Sequence, residues 1–286
     1  NPYKPNALSE CLNSYPNALD FFYPPFTLSV FSTFANLTES WAAISWGLII
    51  FPLLILYLIL VKKMFYKDKN IVLFLLIYFF SFGGLNFTGL LTGNITIIFY
   101  SLLGVSLYYA ITKKIILPVF VVLTVICLFK ITYLIFLPLL FFIERKKFLN
   151  YSFTSLSVIL IFYLYSYFKN PGIFIDFLNH LTYLRSSEFF NLYGGGFGLY
   201  SILKGLPELF VPEIFEENKI FLQLFWFLIC GLFLLSMLII FFKNNKLPKK
   251  QILSIGIVII TACYPLIKDY EGFLLIPSIY YLLFNL

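Results

Sequence analysis

The amino-acid sequence predicts an all-α integral membrane protein with several transmembrane helices. Of its 286 residues, 61% are hydrophobic and only 12% are charged, whereas soluble domains carry about 25% charged residues. The mean hydropathy is +0.93, and several apolar stretches reach the roughly 20 residues that a helix needs to cross a bilayer. These stretches are continuous and do not alternate with polar residues, which favours helices over a β-barrel.

Seven stretches are predicted to span the membrane within a single domain, 1–286: 41–61, 71–88, 95–112, 151–168, 220–242, 252–267 and 272–286. Residues 1–40 come first, as an external loop with a short apolar helix at 25–37 that we expect to lie in the membrane interface. Residues 169–219 are predicted to form a long external loop. Loops of that length in compact proteins are often functional.

Basic residues cluster in the short connections between the predicted spans, and such clusters mark the cytoplasmic side of a membrane protein. If each span crosses once, most of the 20 Lys and Arg residues share that side: Lys62, Lys63, Lys67, Lys69, Lys113, Lys114, Arg145, Lys146, Lys147, Lys243, Lys246, Lys249 and Lys250. The net charge of +7 is therefore attributed to membrane orientation, and no nucleic-acid site is predicted.

Residues 115–143 must begin and end on the same side of the membrane, because the basic residues on both of their flanks are predicted to be cytoplasmic. The two arms, 115–129 and 132–143, are each too short to cross the bilayer. We therefore predict a re-entrant hairpin with Lys130 at its tip. A lysine at that depth costs at least a few kcal/mol on insertion scales, so an anionic ligand would suit it. The simpler interpretation is that Lys130 reaches the interface or pairs with an acidic residue of a neighbouring helix.

The four cysteines, Cys11, Cys127, Cys230 and Cys263, have no metal-ligand spacing. Cysteines within apolar spans are commonly small buried side chains. We therefore predict no metal and no cofactor.

Several motifs occur in the order typical of glycosyltransferase family 87. They are "NPY", "FFYPPFTLSVFSTFANLTESWAAISWGLII", "GLLTGNITIIFYSLLGVSLYYAITKK", "FKITYLIFLPLLFFIERKKF" and "YPLIKDYEGFLLIPSIYYLL". Over nearly its whole length the chain resembles this family, which belongs to the GT-C superfamily and includes the mannosyltransferases of phosphatidylinositol mannoside synthesis. Two motifs depart from the family pattern. Thr92, Gly93 and Asn94 replace Gly-Gln-Asn, and the segment 268–270 lacks a histidine that the family often has.

The resemblance implies a GT-C-like helical bundle that transfers a mannose-like hexose from a polyprenyl-phosphate carrier to a lipid- or glycan-linked acceptor. It further implies an inverting, metal-independent reaction at the non-cytoplasmic face, with the bacterial inner membrane as the expected location. Such transfer needs cations to hold the departing phosphate. The candidates for the phosphate are Lys130, Arg185 and Lys268, and those for the sugar or acceptor are Asn94, Asp269, Tyr23, His180 and Tyr193.

A carboxylate must also accept the proton of the acceptor hydroxyl. The family's catalytic aspartate lies in the first external loop, upstream of the Asn-Pro-Tyr motif with which this chain opens. We therefore expect the base, together with the first transmembrane helix, to precede the sequence given. Asp20 lies in the same loop, closer to Tyr23 than the family's base would be, and is the candidate within the chain. A solvated loop carboxylate is the competing interpretation of Asp20.

Three other functions compete with hexosyl transfer. A transporter or flippase for lipid-linked sugars would also need an intramembrane cation, although the two halves of the chain show no repeat. A polymerase or ligase would use the same carrier on the same face. An inactive remnant of a transferase is the third alternative.

Overall fold

The computed structural model describes residues 23–35, 37–66, 70–91, 94–184, 219–243, 247–263 and 272–285. Every regular element in these ranges is helical, which confirms the all-α prediction. In chain order the helices are α1 Thr27–Ala35, α2 Glu39–Phe65, α3 Ile71–Leu91, α4 Thr96–Thr112, α5 Leu117–Phe129, the 3-10 helix Ile131–Phe136, α6 Leu137–Ile143, α7 Arg145–Lys169, α8 Pro171–Leu184, α9 Lys219–Lys243, α10 Lys249–Cys263 and α11 Gly272–Asn285.

A helix lies in each of the seven predicted spans, and residues 264–267 and 286 of these spans lie outside the described ranges. Within the described ranges, three stretches are long and apolar enough to cross a membrane: Ser40–Phe65, Arg145–Lys169 and Leu224–Lys243. Shorter apolar helices accompany them. The three long helices are mostly exposed in the isolated chain, as expected for apolar surfaces that face lipid.

The ends of α2 follow from local sequence. Thr38 caps its first turn, with its side-chain oxygen accepting a hydrogen bond from the N–H of Trp41, and Lys62 and Lys63 lie in its last turn. Basic side chains are favourable at a helix carboxyl end. Pro52 lies inside α2, where a membrane helix tolerates it because neighbouring helices satisfy the freed backbone groups.

Aromatic contacts show that the chain reverses direction around Lys130. Phe120, near the start of α5, and Phe141, near the end of α6, both lie against Phe148 at the start of α7, with ring centroids 6.3 and 5.4 Å away. The start of α5 and the end of α6 are therefore at the same level, and Lys130 is at the opposite end. A helix of 13 residues spans about 20 Å. The predicted hairpin is present, although its second arm begins as a 3-10 helix.

Basic residues gather at the open end of this hairpin. The Arg145 guanidinium lies 5.6 Å from the ring centroid of Phe141 and 5.9 Å from that of Phe242. Lys243, next in the chain after Phe242, therefore lies at the same end as Arg145. Two of the predicted cytoplasmic clusters thus meet at one end of the bundle, and Lys130 lies at the other end.

The core is built around α4, which packs against α2, α5 and α11. Close approach of α2 and α4 depends on Gly104, because a Cβ at this position would lie 2.2 Å from Cε2 of Tyr57. Tyr57 is fully buried. The hairpin in turn packs through α6 against α10 and through α5 against α7.

The segment predicted as a long loop from residue 169 begins instead with helix α8. Prolines are well tolerated in the first turn of a helix, and Pro171 is the first residue of α8. The side-chain oxygen of Asn170 accepts a hydrogen bond of 3.2 Å from the N–H of Ile173. The loop prediction missed this capped start.

Candidate functional site

The candidate site begins with the backbone of Lys130, which lies between two helices. Helix α5 ends at Phe129, and Lys130 has extended backbone angles of φ −135° and ψ 97°. Its N–H donates to the carbonyl of Ile126 over 2.8 Å, and its own carbonyl accepts from the N–H of Tyr133 over 3.2 Å. Both backbone polar groups are therefore satisfied at the point where the chain turns back. The predicted position of Lys130 at membrane depth would require this of a non-helical backbone.

The side chain of Lys130 reaches across to α4. Its Nζ donates a hydrogen bond of 3.1 Å to Oγ1 of Thr96, the first residue of that helix. Thr96 is completely buried. The N–H of Thr96 donates in turn to Oδ1 of Asn94 over 2.9 Å. The structure thus brings together Lys130 and the turn of Asn94, two of the predicted site residues, through a threonine that the sequence analysis did not select.

Helix α1 lies against the hairpin tip. The Phe129 ring has its centroid 6.4 Å from that of Phe26 and 6.3 Å from that of Phe31. Phe31 in turn lies 5.6 Å from Tyr23. This places Tyr23, a predicted sugar-binding residue, near the tip. Burial raises the pKa of Tyr23 to about 12, so its hydroxyl stays protonated and able to donate a hydrogen bond in neutral solution.

A small open cleft adjoins the second arm of the hairpin. It encloses about 260 Å³ of non-atom space, open solvent included, and is lined by Tyr100, Thr132, Tyr133, Ile135, Phe136, Ile260 and Thr261. Tyr100 follows Thr96 by four residues, which puts the two on one face of α4, one turn apart. The cleft therefore begins about 6 Å along α4 from the contact between Lys130 and Thr96. Four of its lining residues carry hydroxyl groups, and none of these four was predicted as a site residue.

His180, predicted as a loop residue, lies instead on helix α8 and is 3% exposed. A series of ring contacts links this helix to the hairpin tip. Phe129 lies against Phe26, Phe26 lies 6.2 Å from Tyr163, and Tyr163 lies 6.4 Å from Phe174 of α8. The part of α8 around Phe174 therefore shares the end of the bundle at which Lys130 lies, and His180 follows Phe174 by six residues on the same helix.

Asp176 also lies on α8 and is half-buried. It precedes His180 by four residues, a spacing that makes two side chains neighbours on one helix face. Asp176 was not predicted as a site residue, because its segment was predicted as a loop. The i, i+4 spacing would have indicated the pair once the helix was known.

The remaining predicted site residues, Asp20, Arg185, Tyr193, Lys268 and Asp269, lie outside the described residues, so their roles stay predictions. In the described ranges, no three His, Cys, Asp or Glu side chains form a group that could hold a metal ion. Metal-independent transfer also stays a prediction.

The described arrangement joins a half-buried cation, a helix start, aromatic rings and a hydroxyl-bearing cleft at one end of the helical bundle. No curated protein and no solved structure matches the chain. The family model of glycosyltransferase family 87 matches residues 21–265. Because this range includes the hairpin, α1 and most of the 286 residues, the chain belongs to glycosyltransferase family 87.

Proposed function

We propose that this membrane glycosyltransferase moves a mannose-like hexose from a polyprenyl-phosphate carrier to a lipid- or glycan-linked acceptor on the non-cytoplasmic face of the bacterial inner membrane. Family membership makes the protein a membrane glycosyltransferase. The donor, the acceptor and the face of the membrane belong to the proposal. One observation carries it: the Lys130 ammonium sits at the tip of an apolar hairpin, hydrogen-bonded to Thr96.

The chemistry assigns Lys130 to the phosphate of the donor. In an inverting transfer, the acceptor hydroxyl attacks the anomeric carbon while the bond from that carbon to the phosphate oxygen breaks. Negative charge then grows on the departing phosphate, and a cation fixed nearby stabilises it. Inside a low-dielectric bundle this attraction is stronger than in water. Arg185 and Lys268 are further candidates for the same phosphate.

The proton of the acceptor hydroxyl must pass to a carboxylate. We keep Asp20 as the candidate within the chain. Asn94, Tyr23, His180, Tyr193 and Asp269 are proposed to bind the sugar or the acceptor, since amides, carboxylates, phenols and imidazoles all hydrogen-bond to hydroxyl groups.

Binding of a labelled polyprenyl-phosphate hexose to the purified full-length protein tests the role of Lys130. Lys130→Ala is expected to weaken binding about tenfold or more, because it removes a hydrogen bond to a charged group. Lys146→Ala is the matched control, since Lys146 is exposed near the hairpin's open end and should bind as the wild type does. Equal donor affinity for the wild type and Lys130→Ala would refute the assignment.

Transfer must also be told apart from translocation. Vesicles containing the protein are given the labelled donor, and the label is followed into new glycolipid or glycan. Appearance of a labelled product supports transfer. Movement of intact donor across the bilayer with no product would support a flippase instead.

The face of the membrane is tested with cysteines at the two ends of α7. Lys146 and Lys169 are both exposed, and 23 intervening helical steps separate them by about 35 Å. In a background with Cys11→Ser, an impermeant maleimide added to intact cells should label Lys169→Cys and spare Lys146→Cys. The opposite labelling pattern would place Lys130 on the cytoplasmic side and contradict the proposal.

A further inference from the structure

We propose that Thr96 is a positioning residue for the donor phosphate, because its hydroxyl holds the ammonium of Lys130 in place. This inference rests on the proposed function, in which Lys130 binds that phosphate. Lys130 lies at the end of α5 and Thr96 at the start of α4, and Nζ of the lysine donates to Oγ1 of the threonine over 3.1 Å. The hydrogen bond thereby fixes the hairpin tip to a second helix.

The hydroxyl of Thr96 has little freedom to move. The residue is 0% exposed. Its N–H donates to Oδ1 of Asn94 over 2.9 Å, and the N–H of Ile97 donates to the carbonyl of Asn94 over 3.0 Å. A β-branched side chain also has a restricted χ1 angle. Thr96 Oγ1 is therefore a fixed acceptor on a capped helix.

Lys130, in contrast, carries its charge on a flexible four-carbon stem. Loss of the Thr96 hydroxyl would remove one fixed acceptor and let the ammonium take more positions, and each position away from the phosphate would weaken donor binding. An ammonium has three N–H donors, so one group can hold Thr96 and a phosphate oxygen together. The energetic benefit of such orientation appears in the affinity for the phosphate and not only in the stability of the fold.

Displacement of labelled donor from the purified full-length protein measures this effect. Farnesyl phosphate and farnesol are the competitors, and the ratio of their affinities reports how much the phosphate contributes. Thr96→Val keeps the shape of the side chain and removes the hydroxyl, so the ratio should fall about tenfold, as expected for a lost hydrogen bond to a charged group. Thr96→Ser retains the hydroxyl and should restore most of the ratio.

Thr124→Val is the matched control. Thr124 lies on α5, the arm of the hairpin that ends at Lys130, and its Oγ1 donates to the carbonyl of Phe120 over 2.7 Å. The same chemical change there should leave the ratio as in the wild type. If Thr96→Val is not obtained as folded protein, Thr96→Ala takes its place. Its smaller side chain leaves room for a water that solvates the ammonium and so preserves the fold. A water does not hold the ammonium in one position, so the same fall in the ratio is expected.

The outcomes separate this inference from the proposed function. In a Lys130→Ala background, Thr96→Val should cause no further fall in the ratio, since the two residues act as one unit. If Lys130→Ala lowers the ratio but Thr96→Val lowers only thermal stability, Thr96 is merely structural and the inference fails alone. If Lys130→Ala itself leaves the ratio unchanged, the proposed role of Lys130 fails as well.

Discussion

Pro277 leaves the carbonyl oxygen of Phe273 without its helical donor, and two tyrosine hydroxyls supply hydrogen bonds in its place. In an α-helix the N–H of residue i donates to the carbonyl of residue i−4, and proline has no N–H. The hydroxyls of Tyr57 and Tyr78 both donate to this carbonyl, Tyr78 over 3.2 Å. Both tyrosines are fully buried. One carbonyl of α11 therefore ties α2 and α3 to the same place in the core.

Tyr57→Phe is expected to lower the free energy of unfolding by about 1–2 kcal/mol, because it removes a buried hydrogen bond to that carbonyl. Pro277→Ala provides a backbone N–H that can donate to the carbonyl of Phe273. The double variant Tyr57→Phe, Pro277→Ala should therefore be less destabilised than the sum of the two single effects predicts. Thermal unfolding of the purified protein in detergent measures the effect. Tyr109→Phe, at an exposed tyrosine of α4, is the control. Simple additivity of the two changes would show that Pro277 and Tyr57 do not share the carbonyl.

Gly104→Ala is expected to destabilise the protein by about 1–3 kcal/mol, the usual cost of overpacking a core. The added Cβ would lie 2.2 and 2.6 Å from two ring atoms of Tyr57. The ring of Tyr57 cannot easily move away, since its hydroxyl is hydrogen-bonded to the carbonyl oxygen of Phe273. Gly231→Ala is the matched control in another apolar helix, because nothing lies within 4 Å of its Cβ position. That variant should be neutral or slightly more stable, and an equal loss in both variants would rule out the steric cause.

Tyr23 is expected to make stability fall as the pH rises from 10 to about 12. Burial raises its pKa from 10.0 to about 12 in the folded protein. In that window the unfolded chain loses the phenolic proton while the folded chain retains it, so alkali favours unfolding. Tyr23→Phe should show a weaker loss of stability between pH 10 and pH 12. Tyr109→Phe, which removes a phenol at an exposed site, is the control for the loss of a tyrosine as such, and an equal change in both variants would contradict the prediction.

The sequence was sufficient for the membrane class and for the hairpin, because both follow from strong one-dimensional signals. Continuous apolar runs leave helices as the available structure in lipid, and the basic residues on both sides of residues 115–143 require that segment to turn back. Lys130 was found by the same reasoning, since a charge within an apolar run is costly.

The partners of Lys130 could not be predicted in the same way, because they depend on tertiary contacts. Thr96 lies 34 residues from Lys130 in the chain, and a threonine at a helix start has a local capping interpretation of its own. The cleft residue Thr261 comes from α10, and its pairing with the hairpin arises only in the folded bundle. Asp176 was missed for a different reason: its helix, Pro171–Leu184, mixes apolar with polar residues and lies within residues 169–219, which were predicted as one external loop.

The docking of the hairpin onto α10 gives the last prediction. A Cβ at Gly256 would lie 2.2 Å from Cδ1 of Leu139 and 3.0 Å from its Cδ2. Leu139 is a buried residue of α6, so Gly256→Ala should push the hairpin away from α10 and lower stability by about 1–3 kcal/mol.

Leu139→Ala alone should also destabilise the protein, by about 2–5 kcal/mol, because it leaves a cavity. The double variant is expected to be more stable than the sum of the two effects predicts, since the methyl group that Gly256→Ala adds occupies part of that cavity. The 3-10 helix and Lys130 directly precede α6 in the chain, so a displacement of α6 should displace them as well. Gly256→Ala should therefore also weaken donor binding, and the double variant should recover part of the lost affinity. Thermal unfolding and donor displacement on the same preparations measure both effects. If the two changes in the free energy of unfolding were strictly additive, the space left at Gly256 would not be filled by the side chain of Leu139, and the prediction would be wrong.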